Sequence, residues 1–306
     1  MQTILGSGGV IGIELAKSLN QFTEEIRLVS RNPKKVNPGD QLFKADLTRQ
    51  EEVIKALEKT EVAYLTAGLE YKTKIWKEQW PLIMKNVISA CKAHGSKLVF
   101  FDNVYCYGKV VGWMTEKSPI NPMSKKGDVR AEIAMMLMKE LENGNLKALI
   151  ARSADFYGPN TPLSFFNIMV LENLKKGKAA QWMLDPDLKH SLTYTPDAGK
   201  ATALLGNTDS AFGQVWHLPT DRNARTGNEY IEISAKAFNK PPKKMVLKRW
   251  FLSILGLFIS AIGENMEMLY QMESEYLFDS SKFDKAFDFK TTGYEEGIKA
   301  TIDSYR

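Results

Sequence analysis

The sequence predicts an α/β chain built on a doubly wound, mostly parallel sheet, with a smaller lobe toward the C terminus. Three observations carry that prediction. An apolar strand at residues 2–5 runs straight into a glycine-rich turn and then a helix-periodic segment. Strand-like and helix-like segments alternate from there to residue 101, the signature of βαβ units. The run at 97–101 is continuously apolar at its centre, as a strand covered on both faces requires. Right-handed crossovers then place helices on both sides of the sheet.

The first strand, Gln2-Thr3-Ile4-Leu5, leads into Gly6-Ser7-Gly8-Gly9-Val10-Ile11-Gly12. Ile11, Leu15 and Leu19 recur every four residues and share one helix face. Strand, glycine turn and helix together make a phosphate cradle. The glycines let the chain turn sharply and let a pyrophosphate approach bare backbone, while the helix N terminus offers free N–H groups and positive potential. Gly6, Ser7, Gly9, Val10, Ile11 and Gly12 are therefore the expected phosphate-binding residues. The spacing is G-x-x-G-x-x-G rather than the general G-x-G-x-x-G. It resembles that of the extended and atypical short-chain dehydrogenase/reductase superfamily, the NAD-dependent epimerase/dehydratase group. The resemblance implies a Rossmann-type fold, a nicotinamide dinucleotide and oxidoreductase or epimerase/dehydratase chemistry.

Composition bounds the alternatives. The chain has 306 residues, 44% of them hydrophobic, enough for a large core without staples. Its two cysteines, Cys91 and Cys106, form neither a metal-spaced pair nor a disulfide framework, so no metal and a reducing, cytoplasmic setting are expected. Because the chain opens inside a strand, no signal peptide is expected. A net charge of +5 is mild and scattered, which argues against nucleic acid as a partner. The longest uncharged run, residues 250–263, is shorter than the roughly 18–20 residues a membrane span needs. It reads as a buried or lid-forming helix, with a membrane-surface or partner contact as the other reading. A homodimer is a candidate assembly.

The second strand covers 26–30 and ends at Ser30-Arg31. In a dinucleotide fold that strand end meets the adenosine ribose, where an arginine suits the 2′-phosphate of NADP and an acid suits NAD. Arg31 thus favours NADP, with NAD as the alternative if Arg31 is only a solvated loop cation. The third strand is expected at 42–47, followed by a capping box of Thr48 and Glu51. The resemblance implies that Asp46 and Leu47 touch the adenine. The fourth strand, 61–68, ends in Ala67 and Gly68, small enough for the cofactor to cross. A long helix follows, buried through Trp76, Trp80, Ile83, Val87 and Cys91, and expected to kink at Pro81. Asn86 on it is either structural or faces the cleft.

The catalytic segment departs from the family. The fifth strand should end in a Ser/Thr-rich stretch closing with Tyr-Gly. Here it reads Asp102-Asn103-Val104-Tyr105-Cys106-Tyr107-Gly108, with Asn103 at the usual hydroxyl position. An amide can still donate to a substrate oxygen. The family's acid/base is a tyrosine on the next helix with a lysine four residues on, which puts both on one face. The helix from Ser124 has no tyrosine. Its tyrosine slot falls near Lys126, with Arg130 four residues on. Lys126 or Arg130 would orient the nicotinamide ribose, Asn103 would polarise a carbonyl, and Tyr105 would be the best candidate proton donor. The other reading of Tyr105 is a packed cleft wall. Tyr105 and Lys109 share the literal spacing but lie on a strand end and loop, where residues four apart do not share a face.

Later landmarks also match: 148–159 resembles the sixth strand and its Tyr-Gly-Pro turn, and Asp197 should open a helix near its N terminus. His190 reads as a packed loop residue or an anion contact. Thr226/Glu229 and Thr292/Glu295 each fit a capping box. Residues 1–160, completed by parts of 190–220, form the expected dinucleotide domain, and 161–306 mainly the interleaved substrate lobe. The function this implies is an NAD(P)-dependent oxidoreductase or epimerase/dehydratase acting on a sugar nucleotide or small carbonyl compound, without the helix Tyr-x-x-x-Lys. The alternative is a non-catalytic, redox-sensing NADP(H)-binding protein.

Overall fold

Strand and helix alternate as the sequence predicts, in a computed structural model that describes residues 1–305. The first half runs β1 (Gln2–Leu5), α1 (Val10–Leu19), β2 (Ile26–Ser30), β3 (Gln41–Lys44), α2 (Gln50–Ala56), β4 (Val62–Leu65), α3 (Thr73–His94) and β5 (Lys97–Asn103). The middle holds β6 (Trp113–Met114), α4 (Lys125–Glu142), β7 (Ala148–Ser153), β8 (Asp155–Tyr157), α5 (Glu172–Lys175), β9 (Ala180–Met183), β10 (Lys189–His190), β11 (Leu192–Tyr194), α6 (Thr195–Gly206) and β12 (Val215–His217). The chain closes with β13 (Arg225–Thr226), α7 (Gly227–Ala237), β14 (Lys244–Leu247), α8 (Arg249–Phe258), α9 (Ser260–Asn265), β15 (Leu277–Phe278), α10 (Ser281–Ala286) and α11 (Tyr294–Asp303).

The central sheet has seven parallel strands in the order β12-β7-β5-β4-β1-β2-β3. Its side chains alternate between two layers, because successive strand residues point to opposite faces. Leu5, Ala63, Leu65, Leu98, Phe100 and Ile150 pack under α2, α3 and α4. Ile4, Tyr64, Val99, Phe101 and Leu149 pack under α1 and α6. Each such aliphatic side chain contributes about 1.5–3 kcal/mol by burial. A third core, around Tyr157, Phe166, Trp182, Tyr230 and Tyr294, belongs to the segments after β7. The strand order reverses between β1 and β4, which leaves a crevice outside their carboxyl ends.

Several local expectations differ from the structure. β3 stops at Lys44, because Asp46 spends its carboxylate on a turn instead, accepting from the Thr48 backbone N–H (2.9 Å) and hydroxyl (2.7 Å). The helix α2 starts one residue later than expected, after Arg49 and with no side-chain cap, so the Thr48/Glu51 capping box does not form. Thr292 likewise caps nothing, since Gly293 takes the N-cap of α11. The Thr226/Glu229 box does form, and α3 continues through Pro81. Asp197 lies in the first turn of α6. The run 250–263 is not buried: of α8 and α9 only Leu252 is. Instead it folds as a helical hairpin whose far end, Glu264, reaches α4.

Candidate functional site

The glycine turn separates glycines the fold needs from one it does not. Gly6 has φ +94°, and a Cβ there would lie 2.3 Å from Ala67 Cα. A Cβ on Gly12 would lie 2.9 Å from the Gly6 carbonyl. Gly9, the N-cap of α1, has ordinary extended dihedrals, and a Cβ there would meet nothing closer than 3.7 Å. Protein packing therefore explains Gly6 and Gly12 but not Gly9, whose missing side chain leaves room outside the turn. The first turn of α1 carries no acid, so its N–H groups face that room uncontested. Two buried hydroxyls beside it, Ser7 Oγ and Ser30 Oγ, have no hydrogen-bond partner among the described residues. Orphaned buried donors at a helix N terminus suit the phosphates and ribose of a dinucleotide.

The other expected cofactor residues gather on the same edge. Arg31 is exposed just beyond β2, and its charge, after the two Thr48 hydrogen bonds, helps hold the Asp46 carboxyl below the usual carboxylate range. Leu47 is buried, Ala67 partly buried and Gly68 exposed. Asn86 is structural, donating to the Leu47 carbonyl at 3.0 Å.

The four catalytic candidates are distributed differently. The Asn103 side-chain oxygen accepts from the Tyr105 backbone N–H at 3.0 Å, which leaves its amide N–H group for another acceptor. Tyr105 stacks on Trp76 with ring centroids 6.3 Å apart, and its hydroxyl stands 3.5 Å from that of Tyr71. Burial, reinforced by Tyr71 and Asp155, pushes the Tyr105 phenol well above its ordinary value. Lys126 and Arg130 keep the four-residue spacing on α4, whose N-cap Ser124 accepts from Gly127 N–H at 3.0 Å. They serve different carboxylates. Lys126 is fully buried, and its ammonium donates to Glu264 Oε2 (2.7 Å), the Glu264 carbonyl (2.8 Å), Thr73 Oγ1 (2.9 Å) and Glu267 Oε1 (3.0 Å). It also stands 4.6 Å over the Tyr71 ring. Arg130 turns inward to Asp102, at 2.8 and 2.5 Å, beneath Trp80 and Phe100. Asp102 also receives Arg152 at 3.1 Å.

The structure adds residues that the sequence reading did not single out for this place. Glu264 and Glu267 latch Lys126 from above, and burial, which pushes the Glu264 carboxyl up, is outweighed by Lys126 and Thr73, which hold it down to about 2. An open cleft of about 480 Å³ runs beside the latch, lined by Thr73, Lys125, Gly256, Ser260, Glu264 and Glu267 among others. Asp155 accepts from His190 Nε2 at 2.8 Å, while the His190 ring lies flat on Tyr276 at 4.3 Å. Burial raises the phenols of Tyr71, Tyr105, Tyr270 and Tyr276, and the charge of the neighbouring Asp155 adds to it. Its position inside the Arg152-to-Pro159 stretch was the only sequence signal for it. Nothing local pairs Glu264 with a lysine 138 residues away. Among the described residues no His/Cys/Asp/Glu cluster could hold a metal ion.

Comparison with known proteins agrees with this geometry. The sequence model of one family, described as the NAD dependent epimerase/dehydratase family, matches residues 3–215. The fold is similar to that of the UDP-glucose 4-epimerase of Thermus thermophilus in complex with NAD (20% identity, TM-score 0.80, 100% of this chain and 99% of that one). It is also similar to UDP-glucuronic acid 4-epimerase from Bacillus cereus in complex with NAD (17%, TM-score 0.81, 99% and 98%). The DesIV dTDP-glucose 4,6-dehydratase of Streptomyces venezuelae, a double mutant with NAD and DAU bound, is alike too (14%, TM-score 0.81, 100% and 96%). No curated protein matches the chain.

Proposed function

Because this chain belongs to the NAD dependent epimerase/dehydratase family, we propose that it binds a nicotinamide dinucleotide and acts as an oxidoreductase or epimerase on a sugar nucleotide or small carbonyl compound. The observation that carries the reading is the cradle at the β1–β4 switch point, with spare room at Gly9 and unpartnered Ser7 and Ser30 hydroxyls. When bound, the nicotinamide supplies hydride transfer. The chain's own residues do the rest. The free backbone N–H groups of Val10, Ile11 and Gly12 at the start of α1 hold the pyrophosphate, since those of Gly6, Ser7 and Gly9 donate to carbonyls of the protein, and Arg31 meets a 2′-phosphate, which favours NADP over the NAD named for the structural neighbours. Asp46 and Leu47 border the adenine, and Ala67 and Gly68 leave the path open. The free amide of Asn103 donates to a substrate oxygen. Tyr105, kept neutral by burial, gives its phenolic proton to the substrate oxygen as hydride arrives, leaving a phenolate that takes up a proton again from solvent. Lys126 reaches the nicotinamide ribose once Glu264 and Glu267 release it. Arg130 is a positioning residue: it fixes Asp102, which in turn accepts the Asn103 backbone N–H at 2.8 Å.

Calorimetric titration with NADPH and NADH tests the cofactor. Binding of NADPH is expected to be tighter, and Arg31→Ala should weaken it about tenfold while leaving NADH unchanged. If neither nucleotide binds, the whole reading fails. Single-turnover oxidation of bound NADPH by a panel of sugar nucleotides and small carbonyls tests the chemistry. Tyr105→Phe should slow it by about 100-fold or more, and a full rate would remove Tyr105 as donor. A second reading, a non-catalytic redox sensor, draws on the latched Lys126 and the raised Tyr105 phenol. It takes over if no carbonyl oxidises the bound cofactor while NADPH and NADP recruit different proteins.

A further inference from the structure

The hairpin of α8 and α9 presents its apolar stripe to solvent. Trp250, Phe251, Ile254, Leu257 and Phe258 follow helical spacing along one face, and that face is turned away from the protein. Trp250 at the base is 66% exposed, and from Phe251 (36%) and Ile254 (49%) exposure climbs to 81% at Leu257 and 82% at Phe258 beside the turn. The helices close on each other through glycines: a Cβ on Gly263 would lie 2.8 Å from the Gly256 carbonyl. The result is a narrow projecting tip without any charged side chain between Arg249 and Glu264.

The base of the hairpin carries the opposite chemistry. Lys243, Lys244, Lys248 and Arg249 are all exposed where the chain enters α8, and Lys125 lines the cleft beside it. Three of the acids nearby are spent, while Asp185 and Asp187, in the loop after β9, have no ion pair among the described residues. Glu264 and Glu267 face Lys126, and Glu273 pairs with Arg249. Lys243 and Lys248 have no ion pair among the described residues. An uncharged aromatic tip above a basic collar, with tryptophan at the boundary, matches the layering of a bilayer interface that carries anionic headgroups. A second copy of the chain fits less well, since a two-fold contact through the tip would bring each basic collar against its own copy.

We propose that the α8–α9 hairpin docks this protein on the surface of an anionic bilayer, the tip among the acyl chains and the collar on the headgroups. No described helix is long and apolar enough to cross the membrane, so this attachment is peripheral. The test is co-sedimentation of the full chain with vesicles of phosphatidylcholine alone or with about one third phosphatidylglycerol. Wild type should pellet with the anionic vesicles, and salt should weaken it. Leu257→Ser/Phe258→Ser changes two side chains that are 81% and 82% exposed, so the fold should survive, with vesicle affinity down about tenfold or more. Lys243→Glu/Lys248→Glu should lose the preference for anionic vesicles. The proposal is overturned if wild type stays in the supernatant, or if the serine variant pellets like wild type. It is also overturned if light scattering shows a lipid-free dimer that the serine variant abolishes, for then a second copy covers the tip.

Discussion

His217 shows how one buried side chain sets acid stability. Its Nδ1–H donates to the Asp279 carbonyl at 2.9 Å, so Nε2 must accept from the Tyr107 hydroxyl, also at 2.9 Å. Arg152 in turn donates to that hydroxyl at 2.8 Å. His217, Tyr107 and Arg152 are all buried, and a proton on Nε2 would break this chain of hydrogen bonds. Burial, with help from Arg152, pushes the His217 pKa down to about 3. The unfolded chain binds that proton below its ordinary value of about 6.5 and the folded chain does not. Stability is therefore complete above pH 6.5 and falls as the pH drops toward 3, by about 1.4 kcal/mol per unit from this group. Urea unfolding at a series of pH values should show that slope, and His217→Gln should flatten it between about pH 6 and 4. Equal slopes would place the acid sensitivity elsewhere.

At the scale of elements, the glycine turn separates folding from binding. Gly9→Ala introduces no contact under 3.7 Å, so its thermal midpoint should stay within the shift that about 0.5 kcal/mol causes, while dinucleotide affinity falls more than about tenfold. Gly12→Ala collides with the Gly6 carbonyl and should cost about 1–3 kcal/mol of stability as well as binding. If Gly9→Ala binds normally, the cradle does not hold phosphate. The latch over Lys126 is the second such element. Glu264 is held at about 2, so its tie is present above the ordinary carboxylate value of about 4.5 and is lost as pH falls from there toward 2. Glu264→Gln should remove that window and lower the opening free energy of residues 249–272 by about 1–2 kcal/mol, read by hydrogen exchange. Unchanged exchange would mean that Glu267 and Thr73 hold the segment without it.

For the molecule as a whole, what the sequence made legible was whatever repeats locally. Strand alternation, the helix face of Ile11, Leu15 and Leu19, and the Thr226/Glu229 box were readable because each depends on residues within a few positions. The glycine spacing was readable for the same reason. Thr48 misled because its hydroxyl donates to the Asp46 carboxylate in a local turn instead of accepting from a helix N–H. Residues 250–263 misled because apolar composition does not say which way a face points. The partners of Lys126 and Arg130 were out of reach: each ion pair spans a crossover, and 138 residues separate Lys126 from Glu264. That last pairing also bears on the timing of ligand capture. A nicotinamide ribose bound for the Lys126 ammonium finds its seat occupied, so a carboxylate has to leave first. Capture then acquires a ceiling: its observed rate climbs with ligand concentration and flattens at the rate of carboxylate departure. Rapid mixing of wild type with NADPH should trace that plateau, and Glu264→Gln should raise it.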